Sequence, residues 1–385
     1  MGGPARGPRF DLADIVRAHR AELESTHALS REQKRVLTDI GQCRTAALGG
    51  HLDRCDACGY EHPSYNSCRN RHCPKCQALA QERWIAEQRT RMLDVRYFHV
   101  VFTVPSELRS LAAFCPRVIY DALFRAAGRV LLELGESRLD ATIGASLVLH
   151  TWTRALVFHP HVHAIVTGGG LRRDGATWKS CSRAYLFPLE AMARLLRGKM
   201  RDALKEAHAK GAFTGFDDFE DPEGFPRLLR ALWEVDWIVY AKPAFATGQH
   251  VLAYLGRYTH RVALSNSRLL EVTPHQVTFR TKGDGTETLS PVEFLRRFLL
   301  HVLPDGFHKI RHIGLHASSE KRRRARELSG ADLALVEALG YRQQLFALTG
   351  RDITACPVCK ATLRALPLPP ARAPPAARAP PTEGA

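Results

Sequence analysis

Apolar positions recur with a helical period over residues 11–24, where Leu12, Ile15, Val16 and Leu23 share one face. A second helix opens at the capping box Ser30-Arg31-Glu32-Gln33 and runs to about residue 40. The period then vanishes: residues 43–76 are crowded with Cys, His, Gly, Asn and Asp. It returns over 79–93. Tyr97-Phe98-His99-Val100-Val101-Phe102-Thr103-Val104 reads as a strand stopped by Pro105. A long helix is predicted over 117–135. Residues 145–152 and 161–167 read as two strands able to pair as an antiparallel hairpin, the second running into a Gly168-Gly169-Gly170 turn. Further helices are predicted at 187–209 and 246–259, strands at 268–273 and 276–281, and a helix capped by Ser290-Pro291-Val292-Glu293. A last helix covers about 330–347. Residues 1–10 are Gly/Pro-rich, and the Pro/Ala/Arg-rich residues 366–385 read as a disordered tail.

Composition adds a partner class. The 385 residues suffice for two or three domains, and 45% hydrophobic residues allow a real core. A formal charge of +16 and a pI of about 9.7 favour a polyanion, nucleic acid first. No apolar run of about 18 residues appears, which excludes a transmembrane helix. The first residues lack a signal-peptide core, so a cytoplasmic location is expected. Ten cysteines there point to metal binding more than to crosslinks.

Cys55-x2-Cys58 and Cys73-x2-Cys76 stand 14 residues apart, a spacing that suits one tetrahedral zinc ion. Cys43, Cys68 and His72 lie close by. That makes seven candidate ligands for an ion that takes four, so a second site or a different ligand set stays open. Cys356-Pro357-Val358-Cys359 is a lone knuckle and a candidate for a second zinc; His308, His312 and His316 are its partners only by proximity in sequence. Arg54, Arg69, Arg71 and Lys75 are interleaved with the ligands, as in a DNA-binding or protein-contact module. Cys115 and Cys181 are isolated and read as ordinary packing residues.

His161-Val162-His163 offers two imidazoles on one face of a strand, enough to grip a divalent metal ion. If the strand begins at His159, a third histidine joins that face. His159, His150, Gln249 and His250 are the candidates for a third ligand. Tyr254 and Tyr258 are four residues apart in a predicted helix, so both hydroxyls face one way. Arg257, His260 and Arg261 surround them with groups suited to phosphate. A metal with one or two nearby tyrosines is what phosphodiester cleavage through a covalent tyrosine adduct requires.

Five segments together resemble a known family: 66–76 around Cys68 and Cys73, the strand 97–105, the block 159–170, Tyr254-Leu255-Gly256-Arg257-Tyr258-Thr259-His260-Arg261, and 298–312. They are similar to the two-tyrosine rolling-circle transposases of bacterial insertion sequences, in the HUH endonuclease superfamily, over roughly residues 30–362. The resemblance implies an α+β fold: a nuclease core with a central antiparallel sheet flanked by helices, plus an N-terminal zinc-binding domain. It implies catalytic Mg²⁺ or Mn²⁺ on His161 and His163, structural Zn²⁺, and nucleophiles at Tyr254 and Tyr258. It implies single-stranded DNA of the element ends and target DNA as partners, with a 5′-phosphotyrosine intermediate; a homo-oligomer is a further candidate. Relatives often read Trp-Gly-Gln where this chain has Trp152-Thr153-Arg154, so no glutamine ligand carries over. The expected layout is a zinc-binding domain over 1–93, a core over 94–320, a basic helical region with the knuckle over 321–365, and the tail. A replication initiator or relaxase with the same chemistry is one alternative. A non-catalytic zinc-dependent DNA-binding regulator is another.

Overall fold

Caps start the first two helices where the sequence places them. The Asp11 side chain accepts from the Ala13 amide and opens α1 (Leu12–Thr26). Ser30 and Gln33 form a reciprocal box, with the Gln33 amide on Ser30 Oγ at 3.2 Å and the Ser30 amide on Gln33 Oε1 at 2.9 Å, and open α2 (Arg31–Gln42). The structure is a computed structural model and describes residues 9–76, 81, 82, 84, 85, 87, 88, 91–182, 184, 186–245, 263–329, 340–350 and 352–371. After α2 come β1 (Gly50–Arg54), β2 (Glu61–Tyr65), β3 (Tyr97–Thr103), α3 (Arg109–Phe114), α4 (Pro116–Leu139), β4 (Ala141–Trp152), β5 (Phe158–Arg172) and β6 (Trp178–Ser180). Then follow α5 (Leu189–Ala209), α6 (Gly224–Glu234), β7 (Val239–Phe245), β8 (Leu269–Val272), β9 (Val277–Arg280), β10 (Thr286–Leu289), α7 (Pro291–Leu299), β11 (Ile310–Gly314), α8 (Ser319–Ser329), α9 (Tyr341–Thr349) and β12 (Arg364–Leu368). The fold is α+β.

The central sheet runs β11-β4-β5-β3-β7, all antiparallel, with β6 on β5. Period-2 alternation divides it cleanly. Leu147, Ala164 and Val100 stand in one row, and Leu149, Val162 and Phe102 in the next. These side chains are buried against α4 and the Met192, Leu196, Met200, Leu204 stripe of α5. Each large aliphatic or aromatic side chain removed from water here contributes roughly 1.5–3 kcal/mol. The opposite face carries Tyr97, Val148 and Ile165, covered by Trp84 and Met92, and beside them a row of histidines.

Three expectations change. Gly168-Gly169-Gly170 is not a turn but lies within β5. A Cβ at Gly170 would stand 2.5 Å from the Thr142 carbonyl, and one at Gly169 would stand 2.6 Å from that of Lys179, so only glycines let β5 pass between β4 and β6. Residue 93 does not bound the packing of the N-terminal helices: α1 and α2 share a second core with β8, β9 and α7, through Leu12, Leu37, Leu264, Phe279, Phe294 and Phe298. Residues 366–368, expected in the tail, belong to β12, which pairs with β1 in the sheet β12-β1-β2. The strands β1, β2, β6, β7, β10, β11 and β12 have no counterpart among the predicted elements. They are short or carry mixed polar sequence with little alternation to read.

Candidate functional site: a histidine cluster and two cysteine tetrads

The register sets the histidine cluster. His150 of β4 stands opposite His161 of β5, and His163 lies two residues along the same strand, on the same face. One ring nitrogen from each of His150, His161 and His163 can be chosen so that all three lie within 4.8 Å of one another. The ring centroids of His150 and His163 are 4.3 Å apart, and those of His161 and His163 4.8 Å.

Burial holds His161 and His163 neutral. It lowers His161 to about 4 and His163 well below the ordinary range. A neutral imidazole is the ligand form. His161 Nδ1 lies 2.7 Å from the His159 carbonyl oxygen, which can only accept, so Nδ1 carries the proton and Nε2 keeps a lone pair. His163 Nδ1 lies 2.7 Å from His99 Nε2, with the two rings stacked nearly parallel at 5.0 Å. When His163 Nδ1 donates to His99, its Nε2 is likewise left with a lone pair. Trp152 stacks on His150 at 4.8 Å, and the buried Lys309 places Nζ 5.5 Å from the Trp152 ring. Burial, then the Arg71 charge, lowers Lys309 to about 7.

His159, a candidate third ligand, does share this face of β5 but falls outside the cluster. Its Nδ1 lies 3.5 Å from the Arg109 guanidinium. His150 takes the third position because register brings it opposite His161. His99 went unread as part of the site; its signal is a histidine at an alternate position of an otherwise apolar strand. Lys309 had no such signal. Tyr254, Tyr258, Arg257, Arg261, Gln249 and His250 lie outside the described residues.

The cysteines sort differently from their spacing. Cys55 and Cys58 do not share a set with Cys73 and Cys76. Cys43, Cys68, Cys73 and Cys76 form one tetrad, and Cys55, Cys58, Cys356 and Cys359 another, each with its sulfurs within 4.8 Å. Cys43 to Cys76 is 3.3 Å and Cys68 to Cys76 3.6 Å. Four sulfurs this close cannot all ionise without a cation. Hydrogen bonding with Cys68 and Cys73 lowers Cys43 to about 7, and hydrogen bonding with Cys43 lowers Cys76 while raising Cys68. A zinc ion removes that conflict by accepting all four thiolates, and the donor set fits structural zinc. The knuckle's partners are thus Cys55 and Cys58 rather than His308, His312 or His316. His312 and His316 instead meet Ser146 Oγ, each through Nδ1 at 2.9 Å.

Three neighbours of the tetrads have partners within the fold. His72 joins neither set: the Leu303 amide donates to its Nε2 at 3.2 Å, and burial lowers it to about 3. Arg71 donates to the carbonyls of Phe307 and Pro304 at 2.8 and 2.9 Å, and Lys75 to Asp11 at 2.7 Å. Arg71 thus ties the cysteine-rich segment to the 304–307 stretch, whose Phe307 lies in the first core, and Lys75 ties it to the start of α1. Arg69 is exposed, in a left-handed conformation with φ 56°.

Comparison with known proteins identifies the family. A family model described as "Putative transposase" matches residues 144–324, and one described as "Transposase zinc-binding domain" matches 15–104. "Putative transposase y4qJ" of Sinorhizobium fredii is 41% identical over 368 residues, covering 91% of this chain and 92% of that protein. "Transposase for insertion sequence element IS801" of Pseudomonas savastanoi pv. phaseolicola is 31% identical over 327 residues, covering 82% and 78%. No solved structure matches. Among the described residues no helix is long and apolar enough to cross a membrane. The chain belongs to the IS91-type rolling-circle transposases and carries their zinc-binding domain.

Proposed function

We propose that this transposase nicks single-stranded DNA at the ends of its element through a 5′-phosphotyrosine intermediate and transfers the strand to a target. The observation that carries the reading is the gathering of His150, His161 and His163 on one face of the central sheet, with burial keeping His161 and His163 neutral. These three would hold Mg²⁺ or Mn²⁺; when bound, the ion draws charge from the scissile phosphate. An all-imidazole set suits Mn²⁺ better than Mg²⁺, which prefers oxygen ligands.

Tyr254 or Tyr258 supplies the nucleophile. Its Oη bonds to phosphorus, the P–O3′ bond breaks, and the released 3′-oxygen takes up a proton as the phenol gives one up. In the transfer step a 3′-hydroxyl attacks the same phosphorus, the P–Oη bond breaks, and the phenol regains its proton. Arg257 and Arg261 neutralise phosphate charge. Two tyrosines let two such cleavages be linked in one site. Incubation with Mn²⁺ and single-stranded DNA carrying the element's own end should give a covalent adduct on a denaturing gel. The adduct should vanish in the Tyr254→Phe/Tyr258→Phe double variant, and its persistence there would sink the reading.

A further inference from the structure

We infer that Cys55, Cys58, Cys356 and Cys359 hold one zinc ion that clasps the C-terminal knuckle onto the N-terminal module, making a single zinc ribbon from two segments about 300 positions apart. The matched zinc-binding domain ends at residue 104 and contains only the first pair. The second pair arrives from about 300 positions away: Cys55 Sγ lies 3.4 Å from Cys359 Sγ, and Cys58 Sγ 3.7 Å from Cys356 Sγ.

The two pairs are built alike. In the first, the Gly59 amide donates to the Cys55 carbonyl at 2.9 Å and the Cys55 amide to the Tyr60 carbonyl at 2.8 Å. In the second, the Lys360 amide donates to the Cys356 carbonyl at 3.0 Å and the Cys356 amide to the Ala361 carbonyl at 2.8 Å. Gly59 and Lys360, each just after the second cysteine, are both left-handed, with φ 73° and 67°. This is the same tight turn made twice, each presenting two thiolates. A lysine with positive φ is uncommon, and its place in a matching turn indicates that the turn is imposed.

The strands next to the knuckles complete the ribbon. β12 pairs with β1 over five residues, from Gly50↔Leu368 to Arg54↔Arg364. Gly49 makes room for it, and Gly50 for β2 on the other side. A Cβ on Gly49 would stand 2.7 Å from the Leu368 carbonyl, and one on Gly50 would stand 2.2 Å from that of Ser64. The Ala371 amide donates to the Ala46 carbonyl at 2.8 Å, and Arg364 pairs with Asp56 at 3.5 Å. Yet no residue of β1, β2 or β12 is fully buried. A three-stranded sheet without a core of its own is marginal, so the tetrahedral ion supplies the missing crosslink.

The test is zinc content of the full-length protein, which does not depend on the nuclease reading. Cys356→Ser/Cys359→Ser should lose one zinc equivalent relative to the unmutated chain. Cys55→Ser/Cys58→Ser should lose the same one, and all four changes together should still lose one. Full zinc retention in the C-terminal double variant, or a loss of two equivalents in the quadruple variant, overturns the clasp. Should the variants prove insoluble, a short bis-maleimide, which alkylates two thiols without any oxidant, applied to the unmutated chain during graded zinc release keeps the question decidable. It should join the peptide with Cys55 and Cys58 to that with Cys356 and Cys359. Absence of that product, or joining of Cys58 to Cys73 or Cys76 instead, overturns the clasp.

Discussion

The histidine cluster draws its ligands from a single hairpin, β4 and β5, whereas the ribbon tetrad joins Cys55 to Cys359 across 304 positions of sequence. The first set inherits its geometry from strand register, which the apolar rows on the other face of the sheet enforce. The second has no such support, since its strands bury little. The core tetrad is intermediate: Cys43 and Cys73 are buried in the same core as α1 and α7. The contrast teaches where a metal is needed for shape. Ligands fixed by a sheet wait for their ion, while ligands gathered from distant loops are organised by it.

Breaking the core tetrad should produce the largest effect. A structural zinc site contributes on the order of 10–16 kcal/mol, comparable to or above the whole stability of a domain, about 5–15 kcal/mol. Cys73→Ser should therefore release zinc and unfold α1, α2 and the second core together. Thermal unfolding with zinc analysis checks this, and zinc loss with an unchanged melting profile would contradict it.

Acid comes next, and it attacks both regions. Burial lowers His72, His301 and His316 to about 3, and His99, His161 and His312 to about 4. The folded chain thus refuses protons that the unfolded chain accepts below about pH 6.5. The stability these neutral histidines contribute is present above that pH and is lost as pH falls from about 6.5 towards 4, at up to about 1.4 kcal/mol per histidine per pH unit. Denaturant titrations at pH 7, 6 and 5 should show a progressive drop. Mn²⁺ should shift the acid limb to lower pH, because only neutral imidazoles bind it. A flat profile across this window would mean the histidines are solvated.

Removing a histidine ligand should reverse the pattern of the cysteines. His150→Ala should keep the melting temperature near that of the parent while metal-dependent adduct formation falls by more than about 100-fold, beyond the range typical of outer-shell losses. His159→Ala should leave it nearly intact. If His159→Ala is the damaging change, the ligand set proposed from strand register is wrong.

What the sequence disclosed follows the same division. Period-2 alternation made β3, β4 and β5 legible, and with them the shared face of His161 and His163. The choice of His150 over His159 needed the pairing of β4 with β5 residue by residue, which alternation alone does not specify. CxxC spacing identified the pairs Cys55/Cys58, Cys73/Cys76 and Cys356/Cys359, but not which of them combine, nor that Cys43 and Cys68 complete the set of Cys73 and Cys76. Two pairs 14 residues apart looked like one site because loop length was taken as the guide, and thiolates carry no mark of their partner. The anchoring of Arg71 to carbonyls and of Lys75 to Asp11 was hidden for a related reason: charge beside a zinc ligand carries no mark of its partner within the fold.

The finest test concerns how completely register alone positions a ligand. His99 contacts His163 Nδ1 through Nε2 at 2.7 Å and belongs to β3, a strand that contributes no ligand. His99→Ala removes this partner without touching the three donors. Losing the partner that orients a ligating imidazole weakens metal binding by about 10–100-fold. The Mn²⁺ concentration for half-maximal adduct should rise by that factor, with the rate at saturating Mn²⁺ changed far less. His99→Gln, whose amide oxygen can accept from Nδ1, should recover part of the affinity. An unchanged Mn²⁺ requirement in His99→Ala would mean that β5 fixes the His163 ring by itself, and the histidine cluster would then owe its geometry to the hairpin alone.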